Sequence, residues 1–328
     1  MITVKFAECL GLNNYLDSAS IFYDAQTGKY ECSEASNLFI DHGGMVFRRP
    51  GYATLNDTPL TALWSDNVQA YAVGRDTNAL YRVEPDCVTL TPLRTGLSPN
   101  TWMRFTKAMG RVFYTNGVEK GSIINGQDVG WGYDRSFALF NNTLTWEAIL
   151  EAHRPNSVRP ITEPPVGHIV EYFAGRIWIA VDNILYYTEP TGNFDFFCAA
   201  DGFLPDFPSR IRMVRGIPGI RMFVPGGLYV GTDDGVYFCH GKDPEQMNYK
   251  QVSAFPPYEG TDLYFDGGLM SPPLQPEQAC IWTSSRAVSV GTSEGEVREL
   301  TYKKLVYPAA SRGSACIVDN KYICLLQP

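Results

Sequence analysis

Histidine is scarce in this chain: His42, His153, His168 and His240 are dispersed among 328 residues. A Ser-His-Asp constellation or a histidine-built metal centre needs such groups at patterned spacing, and no Gly-x-Ser-x-Gly elbow accompanies them. No motif for that chemistry is present. The cysteines Cys9, Cys32, Cys87, Cys198, Cys239, Cys280, Cys316 and Cys324 include no Cys-x-x-Cys pair, so zinc-finger spacing is also absent. Placed beside aromatic or β-branched neighbours, they read as reduced, small core residues.

Basic charge is short as well, with 27 Lys and Arg against 35 Asp and Glu, a net of −8 and no long run of either sign. Tight DNA binding needs Lys and Arg to neutralise phosphates, so it is disfavoured. An acidic wall that lets DNA pass without sticking fits this balance. No segment approaches the roughly 18 consecutive apolar residues of a membrane helix. The start, Met1-Ile2-Thr3-Val4-Lys5-Phe6, lacks a long apolar run and a small-residue cleavage site, and reads as a protein made and kept in a cytosol-like compartment. Helical periodicity is confined to one stretch, 143–152.

What the chain does contain is turn residues and aromatics, with 30 Gly, 22 Pro and 13% aromatic residues. One pattern recurs: two short apolar strands flanking a turn of Asp, Asn and Gly. It occurs at 70–83, 111–117, 176–187, 227–238 and 287–300. Such turns let the backbone take positive φ and fold one strand onto the next, so each copy reads as a β-hairpin. Hairpins repeating roughly every 40 to 65 residues read as propeller blades. The expected fold is all-β, a β-propeller of about six blades (five to seven), with blades at 58–97, 101–132, 166–209, 212–257 and 278–308. A last hairpin at 315–326 would expose a sheet edge. Strands from an N-terminal segment, 1–56, are expected to close the ring of the propeller, 57–328. Residues 133–165 interrupt the rhythm as an insertion with one short helix.

Two segments carry a resemblance. Gly11-Leu12-Asn13-Asn14, then 33–41, then Gly44-Met45-Val46-Phe47-Arg48-Arg49-Pro50-Gly51-Tyr52 resemble the opening of bacteriophage tail propellers related to the packaged-DNA stabilisation (tail nozzle) family. Pro164 to Ala180, followed by Leu185-Tyr186-Tyr187-Thr188-Glu189-Pro190, is similar to one blade of those proteins, with its aromatic-x-Gly-Arg entry and Glu-Pro exit. The order and spacing of the two matches carry the specificity. The family's nozzle proteins are generally longer. The resemblance implies a structural virion protein of a phage tail or neck (nozzle, hub or tail-tip component), held in a symmetric multi-copy assembly with other tail proteins around the DNA path. It implies transient, non-specific proximity to phage DNA, and no cofactor.

Other readings stay open beside it. A receptor- or glycan-binding tail-tip module would show exposed aromatics beside polar side chains at one propeller mouth. A propeller glycoside hydrolase would bring two carboxylates together, with Glu171, Asp201 and Asp266 as the available acids. Catalytic, cofactor and metal residues are not identified. Asp182-Asn183, Asp233-Asp234-Gly235 and Asp319-Asn320 could offer oxygens to calcium, but they lack an Asp-x-Asp-x-Asp-Gly series and read as turns. The strings Phe194-Asp195-Phe196-Phe197 and Asp262-Leu263-Tyr264-Phe265 read as core. Arg48 and Arg49 form either an interaction patch or the solvated shoulder of a Pro50-Gly51 turn. Trp146, Ile149 and Leu150, on one face of the expected helix, are the candidate anchors for a neighbouring subunit.

Overall fold

The computed structural model describes residues 8–36, 38–40, 44–48, 51, 54–132, 161–188, 194–198, 204–219, 226–269 and 278–327. The helix expected at 143–152, with Trp146, Ile149 and Leu150, lies outside them, as do Arg49 and Asp201.

The described chain is all-β. Strand β1 (Glu8–Leu12) pairs in parallel with β2 (Lys29–Cys32), and β3 (Leu38–Ile40) pairs antiparallel with β4 (Val46–Arg48). A first four-stranded meander follows: β5 (Leu60–Ser65), β6 (Ala70–Gly74), β7 (Ala79–Val83) and β8 (Leu90–Arg94). The second is β9 (Arg104–Ala108), β10 (Arg111–Thr115), β11 (Lys120–Ile124) and β12 (Gln127–Asp128). In the third unit the short strands β13 (Ile161–Thr162) and β17 (Phe197–Cys198) pair with each other. They accompany a three-stranded sheet of β14 (Ile169–Phe173), β15 (Arg176–Val181) and β16 (Ile184–Tyr187). Four strands recur in the fourth, β18 (Ile211–Pro218), β19 (Gly226–Thr232), β20 (Gly235–His240) and β21 (Asn248–Ser253). The fifth is β22 (Leu263–Asp266), β23 (Gln278–Thr283), β24 (Val288–Gly291) and β25 (Val297–Glu299). The hairpin β26 (Arg312–Val318) and β27 (Lys321–Gln327) ends the described chain.

The turn chemistry explains the tight meanders. Asn125-Gly126 and Asp319-Asn320 place both central residues at positive φ, as hairpin loops of two residues require. Met109-Gly110 and Ala174-Gly175 do the same, although Met and Ala are not turn formers. There the following glycine and the strong pairing of the flanking strands override a local cost.

Each sheet packs on the next. Tyr71 and Leu80 meet Phe105 and Tyr114 of the second sheet, and Phe113 meets Ile177 and Ile179 of the third. Trp178 and Tyr187 pack with Val214 and Leu228 of the fourth, and Tyr229 with Trp282 of the fifth. Ala279 and Ile281 then pack with Tyr322 of β27. A fully buried aromatic removes about 150–250 Å² from water, a gross gain of about 4–6 kcal/mol each. The order is propeller-like, since consecutive sheets share faces and strands β5, β9, β14, β18, β22 and β26 all border one cavity.

Two expectations need adjusting. Among the described residues β26–β27 is a two-stranded sheet, and the N-terminal strands pair only with one another. The N-terminal segment is instead tied on by Asn14, whose N–H donates to the Lys304 carbonyl (3.0 Å) and whose Oδ1 accepts from Val306 N–H (2.6 Å). The cysteines also divide. Cys9, Cys198, Cys239 and Cys280 are buried, but Cys87 and Cys316 are exposed. Cys87 sits at φ 58 in the Glu84–Thr89 turn, and Cys316 lies in a two-stranded hairpin with too few strands to cover both faces.

Candidate functional site: the axial cavity

The strands that begin each sheet converge on a cavity of about 860 Å³, within the range of small-ligand sites. Strand β5 supplies Trp64 and Ser65, followed by Asp66 and Asn67; β9 supplies Phe105, Thr106 and Lys107. From β14 come Glu171, Tyr172 and Phe173, from β18 Arg215 and Gly216, and from β22 Leu263 and Tyr264. Gln278 of β23, Ile317 of β26 and Lys242 complete the part used here. Position 216 must be glycine for the strands to converge, because a Cβ there would lie 2.4 Å from the Phe173 side chain.

A buried ionic network stands at the axis. Arg215 donates from Nη1 to Glu171 Oε2 (2.9 Å), from Nε to Asp262 Oδ2 (2.7 Å) and from Nη2 to the Asp262 carbonyl (3.1 Å). The Tyr264 hydroxyl donates to the other Glu171 oxygen, and its ring lies 5.3 Å from the guanidinium. Arg104 approaches Asp262 Oδ1 at 3.6 Å, short of a hydrogen bond. Glu171 and Asp262 are 2% and 4% exposed. Burial pushes the Glu171 carboxyl above its ordinary range, against the pull of Arg215 and Tyr264. Burial would weaken the Arg215 charge, but Asp262 and Glu171 outweigh it and hold the guanidinium firmly protonated. At the cavity wall, burial would likewise lift the Asp66 carboxyl, yet Lys107 and the N–H groups of Gln69 and Val68 bring it below its ordinary range.

The two-carboxylate arrangement of a glycosidase is not assembled by the acids named from sequence. Glu171 borders the cavity but both its oxygens are committed, and Asp266 is exposed at the end of β22, accepting from Gly268 N–H (2.9 Å). The carboxylate that joins Glu171 is Asp262, which sequence reading placed in an aromatic string. Its signal was its position ahead of a strand-forming run, opposite an arginine on the preceding sheet, and no local pattern encodes that. Phe194, Phe196 and Phe197 are buried as expected, while Asp195 between them forms a two-point pair with Arg111 (3.0 and 2.9 Å). The Asp/Asn turns use their oxygens and amides locally: Asp233 pairs with Arg212, and Asn183 donates to the Phe207 carbonyl (2.8 Å). Arg48 is exposed on β4 and away from the cavity lining.

No family model matches the chain, and no curated protein matches it. Among solved structures it is similar to virginiamycin B lyase from Staphylococcus aureus, at 16% identity and TM-score 0.44 over 79% of this chain and 73% of that one. It is also similar to the Pan2 WD40 domain from Neurospora crassa, at 11% identity and TM-score 0.43 over 82% and 75%. An extracellular domain of a hybrid two component system from B. thetaiotaomicron matches at 11% identity and TM-score 0.47 over 86% of this chain, which spans only 33% of that one. At these identities the neighbours' activities do not carry over.

Proposed function

We propose that this chain is a structural component of a bacteriophage tail or neck, a propeller of about six blades with its N-terminal segment docked beside it, and with no catalytic role of its own. The reading rests on the resemblance of 11–14, 33–41 and 44–52, and then of 164–180 and 185–190, to the tail propeller family. Two structural features support it. The axial network ties Glu171, Arg215, Asp262 and Tyr264 to one another, which is the chemistry of a rigid hub more than of a reacting centre. The N-terminal region also leaves large apolar side chains in water, among them Tyr15, Phe22, Met45, Phe47 and Leu55, and exposed apolar groups concentrated in one region mark contact surfaces. A cavity of about 860 Å³ is far too small for duplex DNA, so in a tail the DNA passes beside the subunit, along a path formed by several copies.

Mass spectrometry and cryo-EM of particles from a host carrying the gene test this. The chain is expected in a fixed, multi-copy ratio. The double substitution Trp146→Asp and Leu150→Asp is expected to fold and yet be left out of particles. Purified particles that lack the wild-type chain would refute the proposal.

A further inference from the structure

The cavity is unusual in which of its polar groups are already spent. Its carboxylates are both tied: Asp66 to Lys107 and two backbone N–H groups, and Glu171 to Arg215 and Tyr264. Glu171 and Asp262 are in turn balanced by Arg215 and Arg104. What remains are groups that make no hydrogen bond or ion pair with a described residue: the Trp64 indole N–H, the Asn67 and Gln278 amides, the Thr106 and Tyr172 hydroxyls, and the Lys242 ammonium. Hydrogen-bond donors therefore outnumber open acceptors around the cavity, and one positive charge is left over. Beside them Trp64, Phe105 and Tyr172 supply aromatic wall.

We infer that this cavity binds an acidic saccharide, a uronic or sialic acid residue at the end of a short glycan. The lining speaks for this class. Polyhydroxylated rings need many dispersed donors and amides together with flat apolar surface, which this wall has. A single carboxylate matches the single uncompensated ammonium, with Lys242 as its partner. A phosphate ester fits less well, because a dianion calls for more than one free cation or a nest of backbone N–H groups. The volume of about 860 Å³ accommodates two or three sugar rings. Arg215 has a positioning role here: by holding Glu171 it keeps that carboxylate from repelling the ligand.

The site belongs to the isolated protein, so its test is independent of whether the chain enters particles. Titration calorimetry of the full chain would use glucuronate, galacturonate and N-acetylneuraminate, with glucose and acetate as the neutral and the bare-carboxylate comparisons. At least one acidic sugar is expected to bind saturably, at least tenfold tighter than glucose or acetate. Lys242→Gln, an exposed position whose replacement leaves folding intact, is expected to remove most of that preference. Thr106→Val and Gln278→Ala are expected to weaken the sugar while leaving acetate unchanged. Acetate binding as well as the sugars would reduce the site to a simple anion contact and overturn the inference. So would failure of all three acidic sugars, or wild-type affinity in Lys242→Gln.

Discussion

Replacing Arg215 with methionine isolates the energetics of the hub. The guanidinium makes three hydrogen bonds to Glu171 and Asp262, and methionine keeps most of the aliphatic volume while removing every donor. Two carboxylates, 2% and 4% exposed, would then share the axis with only Arg104 nearby. Removing one partner of a buried ion pair costs about 3–5 kcal/mol, because the remaining charge is left desolvated. Unfolding entropy of about 2.1 cal/mol/K per residue gives about 0.7 kcal/mol/K for a chain of this length, so the expected fall in Tm is about 4–7 °C. The loss should depend on pH, with a definite sign. A carboxyl whose folded pKa is raised, as burial already raises that of Glu171, binds its proton more readily in the folded state. Its stabilising effect is present below the unfolded carboxylate pKa and is lost as pH rises through the folded value. Without Arg215 that folded value rises further, so the variant should lie closest to wild type near pH 4.5 and furthest from it near pH 7.5. Thermal melts by circular dichroism at the two pH values decide it. A Tm within about 1 °C of wild type at pH 7.5, or a deficit that does not change with pH, would refute the account of the hub.

Thiol reactivity should follow burial. In the native protein Cys87 and Cys316 should react quickly with a chromogenic disulfide, whereas Cys198, Cys239 and Cys280 should react only on unfolding, since burial pushes the Cys239 thiol up to about 12 and Cys280 well above its ordinary value; rapid native labelling of Cys280 would contradict the packing of the fifth sheet on the fourth. Trp282→Ala, at a fully buried position between Tyr229 and the fifth sheet, should cost about 3–5 kcal/mol in denaturant unfolding, and a cost under about 1 kcal/mol would count against that interface. Chelation with EDTA should leave the Tm unchanged, because stability is expected to rest on core burial and strand pairing; a fall of several degrees would point back to the Asp/Asn turns.

Strand and turn were legible in the sequence because both are local. Short apolar runs around Asp182-Asn183 or Asp319-Asn320 specify hairpins whatever surrounds them, and the repeat of that unit specified consecutive antiparallel sheets. The sequence also pointed to the core for Phe194, Phe196 and Phe197 through their aromatic type, while the burial of Asp195 between them was settled by Arg111. The axial site was hidden, for a physical reason. Glu171, Arg215 and Tyr264 lie on three successive sheets, with Asp262 just ahead of the last, and the cost of burying their charges is met only by partners far apart in sequence, Arg215 to Glu171 being separated by 44 residues and Tyr264 to Glu171 by 93. The turns Met109-Gly110 and Ala174-Gly175 were less visible for the same kind of reason, since the following glycine and the pairing of the flanking strands, not Met109 or Ala174 themselves, set the positive φ. Which thiols stay exposed was likewise settled by tertiary placement, Cys87 in a turn and Cys316 on an uncovered hairpin face. Local chemistry thus chose the elements, and the convergence of the sheets chose which charges are buried together.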